Sequence, residues 1–110
     1  LTTWSRHWSP ISMGEFGRTP NMGTQGSTDG RNHYTAISGL SMAGGGLRHG
    51  QVIGASERDC GHIKERPVTH GDLAATIYRH MDVPLDATYL DPRGRPRYVV
   101  EEGQPIAELS

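Results

Sequence analysis

The chain has 110 residues, enough for one small domain. Its 11 basic and 12 acidic residues give a formal net charge of −1, which excludes a nucleic-acid binder working through bulk positive charge. An apolar share of 34%, with 15 glycines and 7 prolines, excludes a large core and requires that much of the chain run as loops.

Residues 1–12 are poorly patterned, with Trp4 and Trp8 at the spacing of one helical turn before Pro10 stops it. Residues 11–14 read as the end of a strand, and GEFGRTP at 14–20 would put Glu15 at its tip. Residues 17–34 form a long Gly/Thr/Asn/Ser loop, and loops of that length in small domains are commonly functional. AISGLSMA at 36–43 predicts a strand buried on both sides, broken by GGG at 44–46. QVIG at 51–54 predicts another short strand, and 55–67 a polar loop. THGDLAATIYRHM predicts a helix with Thr69 and Asp72 at capping-box spacing. Leu73, Ile77 and Met81 form its apolar stripe, widened by Ala74 and Tyr78, and Asp82-Val83-Pro84 stops it. The tail carries a DPRG turn, a short strand at RYVV, a turn at EEGQP and the apolar pair Ile106 and Leu109. Strand, loop, strand, loop, helix makes the class α/β.

The chemistry concentrates around the long loop. Glu15 and His33 flank it, and a carboxylate with an imidazole suits zinc or a similar divalent ion. Arg18 and Arg31 present forked guanidinium groups that match phosphate or sulfate. An acid, a histidine and two arginines would suit a site for oxyanion esters with a metal. On the residues alone, ordinary loop polarity is the weightier account, since no HxH or HExxH spacing occurs.

Other motifs carry less. GGGLRHG lacks the lysine and Ser/Thr of a phosphate-binding loop, so it reads as a turn, with His49 on the surface. His70, Asp72 and His80 are explained by the helix ends. Ser5, Ser9 and Ser12 lack a nucleophile-elbow context. Cys60, the single cysteine, excludes a disulfide framework and, beside His62, is too little for a nucleophile. No run reaches the ~18 apolar residues of a membrane helix. LTTWSRHWSP does not read as a signal segment, so the compartment stays open.

GEFGRTP, GRNHY, AGGGLRHGQVIGAS and RPVTHGDLAATIYRHMDVP, in this order and with the tail DPRGRP to GQPIAELS, resemble the C-terminal part of a sulfatase-like bacterial family. That family is described as a domain of unknown function within the alkaline-phosphatase-like superfamily. The resemblance implies that residues 13–110 are the C-terminal portion of an alkaline-phosphatase-like central-sheet domain, after the segment 1–12. It implies a divalent metal (zinc, calcium or manganese) at the strand ends, with Glu15, His33 and Asn32 as ligands and Arg18 and Arg31 on the oxyanion. Phe16 stands where a histidine is common, and Asn32 where an aspartate is expected, which removes a charge and keeps one coordinating oxygen. The resemblance also hints at export.

The expected function is that of a fragment of a metal-dependent phosphate or sulfate ester hydrolase, inactive alone, acting on a small-molecule or glycan ester. Its expected partner is the missing N-terminal half of the same domain, with no nucleic acid and no membrane span. The alternative is a non-catalytic binding module with a degenerate metal site.

Overall fold

The computed structural model describes residues 9–24, 26 and 28–110. Trp4, Trp8 and Ser5 lie outside the described residues. The strands are β1 (Ile11–Met13), β2 (Gly17–Arg18), β3 (His33–Tyr34), β4 (Leu40–Met42), β5 (Ala55–Ser56) and β6 (Ile63–Glu65). The helix α1 (His70–His80) follows, then β7 (Thr88–Leu90), β8 (Pro96–Tyr98) and a 3-10 turn at Ala107–Leu109.

The strands pair two by two, all antiparallel: β1 with β4, β2 with β3, β5 with β6 and β7 with β8. The first four are nested, so the β2–β3 ladder lies inside the loop that β1–β4 closes. In β1–β4 the register sets Ile11 against Met42, Ser12 against Ser41 and Met13 against Leu40. Side chains alternate across a strand, so one face of this ladder is wholly apolar and the other carries two serines. Met13 and Leu40 on the apolar face remain 52% and 41% exposed.

Helix α1 is built from local signals. Thr69 Oγ1 accepts from the Asp72 N–H (3.1 Å) and Asp72 Oδ2 accepts from the Thr69 N–H (3.0 Å), completing the capping box. At the other end the Val83 N–H donates to the Tyr78 carbonyl (2.9 Å) and the Asp82 N–H to the Arg79 carbonyl (3.1 Å). With Asp82 at φ 59, this is a Schellman ending that uses aspartate where glycine is usual. The buried side of the helix is Ala75 and Thr76. Met81, expected to extend the stripe, is the C-cap and is 64% exposed.

The C-terminal segment packs on this helix. Asp72 Oδ1 accepts from the Gln104 N–H (2.9 Å), and Thr76 Oγ1 accepts from the Ile106 N–H (2.9 Å). Among the described residues the buried apolar set is only Ala75 and Ile106. The radius of gyration is 17.3 Å, against about 13 Å for a compact chain of this length. The accessible surface of 8415 Å² likewise exceeds the roughly 6,000 Å² of a compact monomer of this mass. No helix among the described residues is long and apolar enough to cross a membrane.

Two predicted strands come out differently. In 36–43 only Leu40–Met42 is extended and paired, and its faces are not both covered. QVIG is not a strand, and Val52 is 96% exposed. The stretch expected as polar loop holds the β5–β6 hairpin instead.

Candidate functional site

The inner ladder sets Gly17 against Tyr34 and Arg18 against His33. Gly17 is required there, because a Cβ would overlap the Ile37 carbonyl oxygen. Arg18 and His33 are a direct cross-strand pair, so their side chains leave the same face. Both are exposed. Phe16 lies in the bend just before β2, and its ring lies 4.4 Å from the His33 ring, centroid to centroid, at 52° between planes. Glu15 precedes this strand and is exposed.

The loop from Thr19 to Asn32 is closed by hydrogen bonds. Thr19 is 6% exposed and is its hub. The Thr19 N–H donates to the Asn32 carbonyl (2.9 Å), and Thr19 Oγ1 accepts from the Asn32 N–H (3.1 Å) and donates to the Asn21 carbonyl (2.8 Å). Further out, the Gly23 N–H donates to the Gly30 carbonyl (3.0 Å). Arg31 turns back across the loop, its NH1 donating to the carbonyls of Thr19 (2.9 Å) and Pro20 (2.7 Å). The Asn32 amide nitrogen donates to the Thr24 carbonyl and contacts Thr24 Oγ1 (3.4 Å). Tyr34 Oη ties β3 to the neighbouring hairpin through the Gly61 carbonyl (2.9 Å).

Of the five expected site residues, four fall into two groups, and Glu15 stays apart, exposed before β2. Arg18 and His33 are brought together on the ladder, whereas Arg31 and Asn32 brace the loop. Among the described residues no three His, Cys, Asp or Glu side chains gather closely enough to hold a metal ion. By donor chemistry alone, a carboxylate, an imidazole and an amide oxygen would suit zinc or manganese better than calcium, which takes six to eight oxygens. Two residues escaped the sequence reading. Thr19 gave no signal, since its role depends on loop closure. Phe16 was not named as a site residue, because only the fold brings its ring against that of His33.

Among the remaining candidates, His49 and Cys60 have structural partners. His49 Nε2 accepts from the Gly44 N–H (3.0 Å) and shapes the glycine turn. Cys60 is exposed at φ 59, with its sulfur accepting from Ser56 Oγ at 3.8 Å. His80 Nε2 is buried without a hydrogen-bond partner, so this atom does not make the expected contact with the last helix carbonyls. Three carboxyls are held below their ordinary range, each by hydrogen bonds. Asp72 is held first by the Gln104 N–H, Asp91 by the Arg95 N–H and Glu108 by the Arg66 guanidinium. All three belong to turns and tail contacts away from the β2–β3 ladder.

A family model described as "Protein of unknown function (DUF1501)" matches residues 11–110. No curated protein matches the chain, and no solved structure does. The match corrects the assignment to a sulfatase-like family of the alkaline-phosphatase-like superfamily. The motifs from GEFGRTP onward are those of a family of unknown function, and nothing in the match links it to that superfamily.

Proposed function

The chain belongs to the DUF1501 family, whose function is unknown, and from that premise we propose that it contributes part of the site of a metal-dependent phosphate or sulfate ester hydrolase. The observation that carries this reading is the register that pairs Arg18 with His33 on one exposed face. In this reading Glu15 and His33 are metal ligands, with the Asn32 oxygen as a third donor. Arg18 receives the non-bridging oxygens of a small-molecule or glycan ester through its planar fork. Arg31 keeps the loop in shape beneath it. A divalent metal bound there would polarise the ester oxygen as a Lewis acid. The reading includes further polypeptide of the same protein over the open ladders, since two-stranded ribbons are marginal alone and Met13 and Leu40 stay exposed. The 110 residues by themselves are then inactive.

One observation favours a second reading, a binding module for an anionic ligand. Arg31 donates to the carbonyls of Thr19 and Pro20, and the Asn32 amide to Thr24, so two of the five candidate side chains already serve the loop. Elemental analysis of the purified chain and of His33→Ala, each with a thermal melt, separates the two. Near-stoichiometric zinc or manganese lost with His33 supports the metal site. A cooperatively melting chain that never holds metal, yet binds inorganic phosphate through Arg18, supports the binding module.

A further inference from the structure

The four ladders and α1 share little packing. Among the described residues no ladder packs broadly on another or on α1, so their relative positions depend on other contacts. Residues 103–110 supply such contacts to three separate pieces. On α1, Asp72 Oδ1 accepts from the Gln104 N–H and Thr76 Oγ1 from the Ile106 N–H, both at 2.9 Å. Gly103 crosses Gly71 there, backbone to backbone. Just after β6, the Arg66 guanidinium holds Glu108 in a fork, Nε to Oε2 at 2.9 Å and NH2 to Oε1 at 3.0 Å. In the loop at 48–51, Gln51 Nε2 donates to the Glu108 carbonyl (2.7 Å) and the Arg48 N–H to the Leu109 carbonyl (3.1 Å).

The stretch GQPI suits the helix side of this fastening. Acceptors four residues apart on a helix are separated by about 6 Å along its axis, and amides two residues apart on an extended chain by about 6.6 Å. Asp72 and Thr76 therefore match the amides of Gln104 and Ile106. Between these lies Pro105, which has no N–H to leave unsatisfied and which keeps itself and Gln104 extended. Beyond it the 3-10 turn closes, with the Leu109 N–H on the Ile106 carbonyl (3.1 Å). The α1 anchors and the Glu108 anchor are thus joined by a short, stiff link. We propose that residues 103–110 form a strap that opens and closes as one unit, and that its closure fixes α1, the 48–51 loop and the β5–β6 hairpin in one arrangement. Opening uncovers Ile106, one of the two buried apolar side chains among the described residues. None of the anchors belongs to the β2–β3 ladder, so the strap stands independently of the metal or anion assigned there.

The test is native-state amide hydrogen exchange of the 110-residue chain, followed at Gln104, Ile106, Leu109 and Arg48. The Asp91 amide of the β7–β8 hairpin serves as the reference. In the parent the four strap amides should share one opening constant to within about threefold. Glu108→Gln loosens only the Arg66 anchor, yet it is expected to speed exchange at all four by a common factor of about three, with Asp91 unchanged. Thr76→Val loosens only the α1 anchor. It is expected to speed Arg48 and Leu109 by the same factor as Gln104, roughly tenfold, while Thr76→Ser stays close to the parent. Acceleration confined to the neighbours of the altered anchor would overturn the proposal. So would a lack of protection at the four amides in the parent. Equal acceleration at Asp91 would overturn it too, because the strap would then open only with the whole chain. If Thr76→Val does not fold, Glu108→Gln decides alone.

Discussion

Gly71 and Gly103 cross backbone to backbone. A Cβ on Gly71 would overlap the Glu102 carbonyl oxygen, and one on Gly103, at φ 133, would overlap the Gly71 carbonyl. The crossing lets the C-terminal segment lie against the first turn of α1, where Asp72 and Thr76 bind its amides. Alanine ordinarily improves a helical position by about 1 kcal/mol over glycine. Here the sign reverses. Gly71→Ala should destabilise by about 1–3 kcal/mol through overpacking, read as a lower urea midpoint. Gly39→Ala, with open space and no positive φ, should be neutral or stabilising by at most about 1 kcal/mol.

Thr76 serves two backbone groups at once, donating to the Asp72 carbonyl (2.7 Å) and accepting from the Ile106 N–H. Thr76→Val keeps the shape but strands the Ile106 donor in a buried place. The expected loss is about 1–3 kcal/mol, with faster amide exchange at Ile106. Thr76→Ser should retain most of the stability, because the hydroxyl remains.

Asp72 also gives the stability a pH dependence of known sign. Its carboxyl is held below the ordinary 3.8 in the folded chain, first by the Gln104 N–H and then by the Thr69 N–H. As pH falls, the unfolded chain therefore takes up this proton first, and stability falls with it. The contribution is complete above the ordinary value and disappears as pH drops through the lower folded value. Urea midpoints measured from about pH 5 to about pH 3 should decline, and less steeply in Asp72→Asn. Some slope should remain from Asp91, which is also held low, first by the Arg95 N–H.

Asp82 ends α1 in the left-handed region, at φ 59. A residue with a Cβ pays about 1–2 kcal/mol there, less for aspartate than for bulkier residues. Asp82→Gly should raise stability by roughly 0.5–1 kcal/mol. An unchanged or lower melting temperature would mean that the aspartate side chain has a compensating contact.

Arg18 and Arg31 should separate cleanly. Arg31→Ala removes the donor to the Thr19 and Pro20 carbonyls, so the Thr19, Gly23 and Asn32 amides should exchange roughly tenfold faster. Arg18→Ala should leave those rates alone and weaken the binding of inorganic phosphate.

The helix was legible because its information is local. Thr69, Asp72, the four-residue spacing of Leu73 and Ile77, and the stop before Pro84 all act within one turn or two. The predicted span agrees with His70–His80 and its capping box. The candidate residues Glu15, Arg18, Arg31, Asn32 and His33 could likewise be named from the chemistry of one loop. Which of them meet could not. Arg18 faces His33 only because of the β2–β3 register, and Arg31 is a loop brace only because Thr19 and Pro20 turn their carbonyls toward it. The β5–β6 hairpin was invisible for the same reason: Ile63–Glu65 is exposed throughout and carries no alternating pattern. Composition by itself determined that the core would be small, since few apolar residues are available to fill one. Tertiary structure decided which groups share a face, because strand pairing joins residues far apart in the chain and each side chain's direction depends on that pairing.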